Sequence, residues 1–432
     1  MSLIAERMQT LGTENAFTLG DNIAECEAMG IKVIRFNLGE PDFDTAEHIC
    51  ACASENLAHG NTHYCPPHGI PALRSAVAKV VSATRGIEID PELVCVTPGA
   101  KPPIGYSVQT YVNPGDEVIY PSPGFPIYES WITYMGGTPV PLHLEESRGF
   151  SFTAADLEEL ITPRTKLIFI NSPSNPTGGV LARQDLEEIA AVIREKGRDD
   201  IRVYSDEVYE DIIFDGHDHV SIASMPGMAE KTVLVSGHSK SFAMTGWRLG
   251  FAILPTRAEH DAFKNLNINA ISCTPPFIQD AGREAYENPM TKVIIAEMVS
   301  EFQKRRDYAV PALNAIDGIT CANPKGAFYV FPNIEGVCRN IGVLDAYDGL
   351  AADIRSKSSP SKLFQMFLLY RFGVATMDRK SFGEIDADGK HFLRLSTATD
   401  PQSIQDGIGL IARAGADREG FETFISEGQH LS

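Results

Sequence analysis

The 432-residue chain has few cysteines, and none of them falls in a pattern that binds a metal or builds a disulfide framework. Its eight cysteines include no Cys-x-x-Cys, and Cys50 and Cys52 are the only close pair. Apolar runs of membrane-spanning length are also missing, as is the basic, apolar, small-residue order of a secretory signal. We therefore expect a cytoplasmic protein with reduced thiols, no metal site and no membrane segment.

Positive charge is scarce as well. Lys and Arg number 37 against 57 Asp and Glu, which gives a formal net charge of -20. Such an excess repels nucleic acid and anionic membrane surfaces unless basic residues cluster locally. The densest basic stretch, Lys304–Arg306, is followed by an acid and is typical of an exposed helix face. We expect neither a nucleic-acid partner nor a membrane partner.

The chain does contain an alternation of short apolar runs and helical patterns between about residues 90 and 260. Helical spacing recurs over Ala155–Ile161 and Arg183–Lys196, and this alternation predicts an α/β fold. Runs rich in β-branched residues and bounded by turn formers predict strands at Leu93–Thr97, Glu117–Tyr120, Pro139–His143, Lys166–Ile170, Arg202–Ser205, Thr232–Val235 and Gly250–Leu254.

The C-terminal part has a different pattern. After a long helical stretch from about Pro289 to Ala315, strands are predicted near Gly326–Phe331 and His391–Ser396, which indicates a smaller α+β unit. The segment before about residue 45 is too short to fold alone, so we expect it to pack with that unit. The predicted division is a large domain at 46–300 and a small domain made of 1–45 plus 301–432.

Chemically distinctive side chains follow three of the predicted strands. LIFINSPSNPTG supplies Asn175, IRVYSDEVYE supplies Asp206 and Tyr209, and TVLVSGHSKSF supplies Ser239 and Lys240. Each has an ordinary explanation when taken alone: a turn former, a helix cap or a surface lysine. Ligands of open α/β sheets gather at the carboxyl ends of the strands, so together these residues indicate one ligand site.

The segment VLVSGHSKS fits neither of two motifs that contain similar residues. A phosphate-binding P-loop needs glycine where the chain has Ser239 and Leu234, and a serine-hydrolase elbow needs glycine where it has Ser241. No G-x-G-x-x-G follows a strand, which argues against a nicotinamide-dependent dehydrogenase.

Pyridoxal 5'-phosphate requires the combination of groups that the strand ends provide. Lys240 would hold its aldehyde as an imine, and Asp206 would keep its ring nitrogen protonated. Asn175 and Tyr209 would donate hydrogen bonds to the phenolate oxygen of the ring. The turn Gly99-Ala100-Lys101, which precedes a predicted helix start, would hold the phosphate through backbone N–H groups.

Three segments in this order, NSPSNPTG, SDEVYE and SGHSKSFAMTGWRLGF, resemble those of the class I pyridoxal-phosphate aminotransferases of fold type I, the aspartate aminotransferase superfamily. NLGEPDFDT and YCPPHGI are similar to the bacterial aspartate aminotransferase group, and the similarity extends from about Phe36 to Thr399. This resemblance implies a mainly parallel seven-stranded sheet between helices, with a smaller α+β domain.

The resemblance also implies individual roles around the cofactor. Lys240 would be the Schiff-base lysine, and Ser239 and Arg248 would bind the phosphate. Phe125, in PSPGFPIY, would stack on the cofactor ring. Tyr64, in THYCPPHG, would reach the phosphate of the neighbouring subunit, which implies a homodimer with shared active sites.

A further set of residues is implied for the substrate. Arg394 would clamp the α-carboxylate of the amino acid, with Gly39 and Asn175 beside it. Lys101 stands where some bacterial aspartate aminotransferases carry a lysine for the side-chain carboxylate, so we expect aspartate or glutamate as donor. Pro102-Pro103 and the segment SCTPPFIQDAG depart from the common pattern, which leaves alanine, aromatic and other 2-amino acids open as donors.

The implied reaction transfers an amino group from an L-amino acid to a 2-oxo acid. Lys240 would move the proton as general acid and base, with Asp206 and Tyr209 as the other catalytic residues. A lyase or synthase on the same scaffold would carry the same cofactor motifs and stays open. A non-catalytic effector-sensing domain would normally adjoin a DNA-binding module, for which the chain has neither a helix-turn-helix extension nor a basic face.

Overall fold

The computed structural model describes residues 3–431 and contains alternating strands and helices. The strands are β1 (Ile34–Arg35), β2 (Val94–Thr97), β3 (Glu117–Ser122), β4 (Thr138–His143), β5 (Thr165–Asn171), β6 (Arg202–Asp206), β7 (Thr232–Gly237), β8 (Gly250–Ile253), β9 (Tyr329–Val330), β10 (Val374–Ala375), β11 (Met377–Asp378) and β12 (Leu393–Ser396). The helices are α1 (Asn15–Ala28), α2 (Glu47–Ala58), α3 (Pro71–Arg85), α4 (Pro102–Tyr111), α5 (Ile127–Tyr134), α6 (Ala154–Leu160), α7 (Arg183–Lys196), α8 (Arg257–Ala270), α9 (Pro276–Glu287), α10 (Pro289–Asn314), α11 (Glu335–Asn340), α12 (Val343–Asp348), α13 (Ala352–Arg355), α14 (Pro360–Phe372), α15 (Pro401–Gly415) and α16 (Arg418–Glu427).

Seven of these strands form one sheet in the order β2-β8-β7-β6-β5-β3-β4. The strands from β7 to β4 pair in parallel, and β8 pairs antiparallel with both β2 and β7. The predicted α/β fold with a mainly parallel seven-stranded sheet is therefore confirmed. Each strand predicted for this sheet lies within about two residues of its observed bounds, because buried strands of such sheets are nearly continuous apolar runs that end at turn formers.

The helices that cover the sheet follow ordinary capping and packing rules. Thr153 caps α6 by accepting the N–H of Asp156, whose carboxylate accepts the N–H of Thr153 in return. Helix α7 has the predicted bounds, and Leu186, Ile189 and Ile193 on its buried face pack in the core against the sheet.

The two ends of the chain share one hydrophobic core. Strand β1 pairs in parallel with β10, and Leu19, Ile23 and Phe36 join buried residues of α14 and α15. Gly407 permits this packing, since a Cβ there would lie 2.4 Å from the Phe36 ring. The proposed boundaries of the two domains, at residues 45/46 and 300/301, stay a prediction.

The C-terminal strands are shorter than predicted. Strands β11, β12 and β9 form a three-stranded sheet, but β9 covers only two residues of the run predicted at 326–331. The reason is the backbone before it: Ala327 adopts a left-handed conformation with φ of 56°, and its N–H donates to the carbonyl of Ile212. A strand cannot include that turn.

Within residues 3–431, no helix combines the length and apolar character needed to cross a membrane. The eight cysteines are all free thiols, four of them buried and four half-buried. Over the same residues, no group of three or more His, Cys, Asp and Glu side chains is placed to hold a metal ion.

A buried ionic cluster lies next to the carboxyl end of β6. Glu207 is 1% exposed and accepts hydrogen bonds from Arg85 at 3.0 and 2.6 Å and from His219 at 2.9 Å. Arg85 ends α3 and also pairs with Glu210. Burial alone would raise the pKa of Glu207, but Arg85 and His219 hold it well below its usual range. The cluster fixes α3 to the chain directly after Asp206.

We expect Glu207→Gln to lower the free energy of unfolding by about 3 kcal/mol at pH 7, because it leaves a buried guanidinium short of its countercharge. Since the native pKa is depressed, this stabilisation is present above the unfolded glutamate pKa of about 4.3 and is lost as the pH falls through the lower native value. Urea unfolding followed by circular dichroism, at pH 7 and at lower pH, measures both effects. Glu158→Gln, which removes a surface carboxylate paired with Lys196, is the control and should cost less than about 1 kcal/mol. An equal cost for both variants would contradict this account.

Candidate active site

A cavity of about 620 Å³ opens where the parallel strands β5, β6 and β7 end. This size is typical of small-molecule sites, which occupy roughly 300 to 1,000 Å³. The cavity wall brings together eleven of the predicted site residues: Gly39, Ala100, Lys101, Phe125, Asn175, Asp206, Tyr209, Ser239, Lys240, Arg248 and Arg394. Gly99 lies beside the wall against Arg248, and Tyr64 lies apart from it.

Lys240 is an amine with lowered basicity. Its Nζ donates to the carbonyl oxygen of Gly39 at 2.5 Å and lies 5.7 Å from the centre of the Tyr209 ring. Burial, together with the positive charge of Arg394, lowers the pKa of Lys240 to about 8. The uncharged amine is the nucleophilic form, so this lysine is suited to attack a carbonyl carbon near neutral pH.

Asp206 ends β6 as a buried carboxylate whose hydrogen-bond partners are neutral. The Tyr128 hydroxyl donates to its Oδ2 at 2.5 Å, and the Val208 N–H donates to its Oδ1 at 3.4 Å. Burial raises the pKa of Asp206 to about 6, although the Tyr128 hydrogen bond opposes this rise. A cation brought next to this carboxylate would stabilise its charged form. The sequence did not indicate Tyr128, whose position in PSPGFPIY, three residues after Phe125, is the signal that could have identified it.

Arg394 on β12 reaches two other parts of the chain. Its Nη1 donates to Asn175 Oδ1 at 3.1 Å, and its Nη2 donates to the carbonyl oxygen of Asn37 at 2.5 Å. The guanidinium also lies 4.6 Å from the centre of the Tyr329 ring. Arg394 is only 4% exposed, and within residues 3–431 its Nε finds no hydrogen-bond partner. A buried guanidinium with a spare donor favours a carboxylate ligand.

Tyr209 is oriented by a second tyrosine that sequence reasoning missed. The hydroxyls of Tyr209 and Tyr329 are 2.7 Å apart, and either can be the donor. A Cβ at Gly39 would lie 2.1 Å from the Tyr329 hydroxyl, so the space left by this glycine is used by the tyrosine. The run GAFYVF indicated only a strand, because an aromatic residue in a strand usually belongs to the core.

The turn Gly99-Ala100-Lys101 and Arg248 form a donor-rich end of the cavity. Gly99 has φ of 88°, and a Cβ there would lie 2.3 Å from Arg248 Nη2, so the guanidinium lies directly against the turn. Arg248 has φ of 55°, a strained conformation for a residue with a side chain and one that is often kept at functional sites. Pro102-Pro103 has no N–H groups, and the Gly99 N–H donates to the carbonyl oxygen of Thr97 at 2.8 Å, so the backbone donors that the turn offers at the start of α4 are those of Ala100 and Lys101.

Lys101 is paired with a carboxylate that the sequence did not single out. Its Nζ lies 3.1 Å from Glu14 Oε2, and it lies 5.7 and 5.6 Å from the ring centres of Phe17 and Phe125. Glu14 immediately precedes α1 and lines the cavity. No motif marks Glu14, because its contact with Lys101 joins segments that are distant along the chain.

Tyr64 is 89% exposed and lies outside this cavity. A residue that serves the site of a neighbouring subunit must lie outside its own. The predicted role of Tyr64 across a subunit interface stays a prediction.

Asp206 links the stability of the ligand-free protein to pH. Its native pKa of about 6 lies above the unfolded value of about 3.9, so the native state favours the protonated form. Asp206 therefore lowers the free energy of unfolding increasingly as the pH rises from about 4 to about 6. At pH 8 we expect the free energy of unfolding of Asp206→Asn to exceed that of wild type by about 2 to 3 kcal/mol. Near pH 4 this difference should disappear. Urea unfolding across this pH range measures the difference. The exposed Asp218, changed to Asn, should shift stability by less than about 0.5 kcal/mol at either pH. An Asp206→Asn variant less stable than wild type at pH 8 would contradict the assignment.

Comparison with known proteins agrees with this geometry. The family model described as aminotransferase class I and II matches residues 31–411. The chain is 35% identical over 412 residues to a probable aspartate/prephenate aminotransferase of Aquifex aeolicus, covering 95% of this chain and 98% of that protein. It is 37% identical over 383 residues to aromatic-amino-acid aminotransferase 2 of Thermococcus litoralis, covering 88% and 91%. The solved aspartate aminotransferase of Rhizobium meliloti superposes with a TM-score of 0.85 at 32% identity, covering 97% of this chain and 100% of that one. The chain therefore belongs to the class I and II aminotransferase family, and it is an aminotransferase of the fold that its sequence predicts.

Proposed function

We propose that this aminotransferase holds pyridoxal 5'-phosphate in the cavity and uses it to move the amino group of an L-amino acid to a 2-oxo acid. The observation that carries the proposal is the arrangement around Lys240. An amine with a pKa of about 8 lies in one cavity with a buried carboxylate, Asp206, and with the donor-rich turn beside Arg248.

The groups present fit this cofactor in chemistry and in number. Lys240 would bind its aldehyde carbon, and Asp206 would pair with its protonated ring nitrogen. Arg248 and the turn Gly99-Ala100-Lys101 would hold the phosphate together, because the missing side chain of Gly99 lets the Arg248 guanidinium lie directly against the turn. The oxygen of Asn175 is engaged by Arg394, so its Nδ2 group is free to donate to the ring oxygen.

A second group of residues would complete the cofactor site. Ser239 would donate to the phosphate, and the ring of Phe125 would cover one face of the cofactor. Tyr209 would donate to the same ring oxygen as Asn175, held in place by the Tyr329 hydroxyl. These assignments keep the roles that the sequence predicts and add Tyr329 and Tyr128 as positioning residues.

When bound, the cofactor supplies an aldehyde that captures the amino group and a ring that withdraws electrons from the α-carbon. Arg394 binds the α-carboxylate and so orients the bond to the α-proton. Lys240 holds and moves that proton at its Nζ, since a pKa near 8 allows it both to accept and to release a proton near neutrality. Asp206 stays ionised beside a cation, which lowers its pKa from the value of about 6 set by burial.

Purified, cofactor-loaded protein is expected to form one new amino acid for each amino group taken from an L-amino acid, with pyruvate or 2-oxoglutarate as acceptor. Lys240→Ala should lower this rate by about 10²-fold to 10⁴-fold, because the nucleophile and the proton carrier are lost together. Chromatography of the amino acids measures the product, and visible absorbance reports whether cofactor is still bound. Lys79→Ala, at an exposed lysine on α3, should keep the full rate. A few per cent of residual activity in Lys240→Ala would refute its role, and loss of the donor without a new amino acid would indicate a lyase.

We further propose that two copies of the chain form a dimer in which Tyr64 serves the partner's phosphate. The support is the exposure of Tyr64, a large side chain left 89% in solvent by its own subunit. Light scattering is expected to give twice the 47.1 kDa mass of one chain. Tyr64→Phe should weaken cofactor binding by about tenfold while leaving the dimer intact, because it removes one hydrogen bond to a charged group. Tyr308→Phe, at a partly exposed tyrosine on α10, is the matched control. A monomer, or an unchanged cofactor affinity, would contradict the proposal.

A further inference from the structure

We propose that Glu14 is a specificity residue, which disfavours amino acids with acidic side chains and directs the enzyme toward donors with neutral, apolar ones. This inference rests on the function proposed above and concerns the same cavity. It departs from the expectation of aspartate or glutamate as donor, because that expectation is based on Lys101 without the carboxylate of Glu14 that pairs with it.

The first argument is an account of positive charge. Among residues 3–431, four cationic side chains line the cavity: Lys101, Lys240, Arg248 and Arg394. The proposed function uses Lys240 for chemistry, Arg248 for the phosphate and Arg394 for the α-carboxylate. Lys101 is therefore the cation of this chain that is left for a second carboxylate on the substrate.

The second argument is that Lys101 already has a carboxylate. Its Nζ lies 3.1 Å from Glu14 Oε2, and the Glu14 side chain is only 14% exposed. An aspartate donor would have to displace Glu14 from Lys101 or share the ammonium group with it. Either arrangement brings two carboxylates together beside one half-exposed ammonium group, and like charges at that distance repel each other.

The third argument is the apolar surface around the pair. The Lys101 ammonium lies 5.7 and 5.6 Å from the ring centres of Phe17 and Phe125. Other apolar residues on the same cavity wall are Leu38, Ile104, Met377 and Phe382. A neutral side chain can bury carbon atoms against these residues while the Glu14–Lys101 pair stays intact. The pair thus acts as a repulsive element against acidic donors and leaves neutral donors unhindered.

The donor half-reaction tests this inference, since omitting the oxo acid removes any effect of the acceptor. Wild-type protein should use phenylalanine or leucine with a higher kcat/KM than aspartate. Glu14→Gln should raise the ratio of kcat/KM for aspartate to kcat/KM for phenylalanine by about tenfold, because the incoming carboxylate no longer meets a like charge. Glu14→Ser, which also shortens the side chain, should move the ratio in the same direction.

A matched control lies on the helix that Glu14 precedes. Glu27→Gln also removes a carboxylate and an ion pair, with Arg35 at 2.7 Å, but Glu27 lies on α1 away from the cavity wall. The ratio of kcat/KM for aspartate to kcat/KM for phenylalanine in Glu27→Gln should equal that of wild type. The double variant Glu14→Gln/Lys101→Met should lose the gain, since the acidic donor then finds no free cation.

Binding without turnover gives an independent measurement. Calorimetry on the cofactor-loaded protein compares succinate, a dicarboxylate, with butyrate, a monocarboxylate of the same chain length. Glu14→Gln should raise the affinity for succinate relative to that for butyrate by about tenfold, and Glu27→Gln should leave this relative affinity unchanged.

An aspartate preference in wild type, or equal ratios in Glu14→Gln and Glu27→Gln, would overturn this inference and leave the aminotransferase function intact. Failure to transfer an amino group from any donor would instead overturn the proposed function, and the inference with it. The two failures are therefore distinguishable in one set of measurements.

Discussion

Parallel pairing of β5, β6 and β7 is the constraint on which the site depends. In that pairing Asn171 lies opposite Asp206, and Asp206 lies opposite Val235, so the three strands end at one edge of the sheet. Whatever follows each strand is then brought to that edge, which places Asn175 and Lys240 close to Asp206. The antiparallel strand β8 supports the other end of the cavity. Its residue Gly250 lets the Gly99 turn lie directly against the strand, since a Cβ at Gly250 would lie 2.5 Å from the carbonyl carbon of Gly99.

The sheet supplies one half of the cavity, and the two ends of the chain supply the other. Arg394 and Tyr329 come from the small sheet, and Gly39 and Glu14 come from the N-terminal segment. Most groups assigned to the cofactor follow strands of the seven-stranded sheet, whereas Arg394, Gly39 and Glu14 come from the two terminal parts of the chain. The two halves are connected, since the carbonyl oxygen of Gly39 accepts from Lys240 and the Tyr329 hydroxyl contacts that of Tyr209.

How much of this could be predicted from the sequence depended on the distance between contacting residues. The seven strands were predictable because each is an apolar run with turn formers at both ends, a property of the local sequence. Asp206 and Lys240 were predictable because their chemistry and their place after a strand both point to a ligand. Tyr128 and Glu14 were not, since a tyrosine or a glutamate is common everywhere and acquires its role only through contacts made by folding.

The same reasoning explains the structural differences from the sequence-based expectations. Strand β9 is short because contacts with a distant segment turn the backbone at Ala327. The space beside Gly39 accommodates Tyr329, a contact that the sequence did not indicate, while the predicted place of Gly39 beside the substrate stays a prediction. In each case the local sequence is compatible with several outcomes, and long-range packing determines which one occurs.

The buried guanidinium of Arg394 has a practical consequence for work with this enzyme. In the role proposed for it, its donors would recognise a carboxylate and not the rest of an amino acid, so any small carboxylate that enters the cavity would meet the same groups. Acetate, formate and citrate are common buffer components, and under the same proposal they would compete with the substrate for this position. The apparent affinity for amino acids would then be lower in carboxylate buffers, and a buffer without carboxylates would give the intrinsic value.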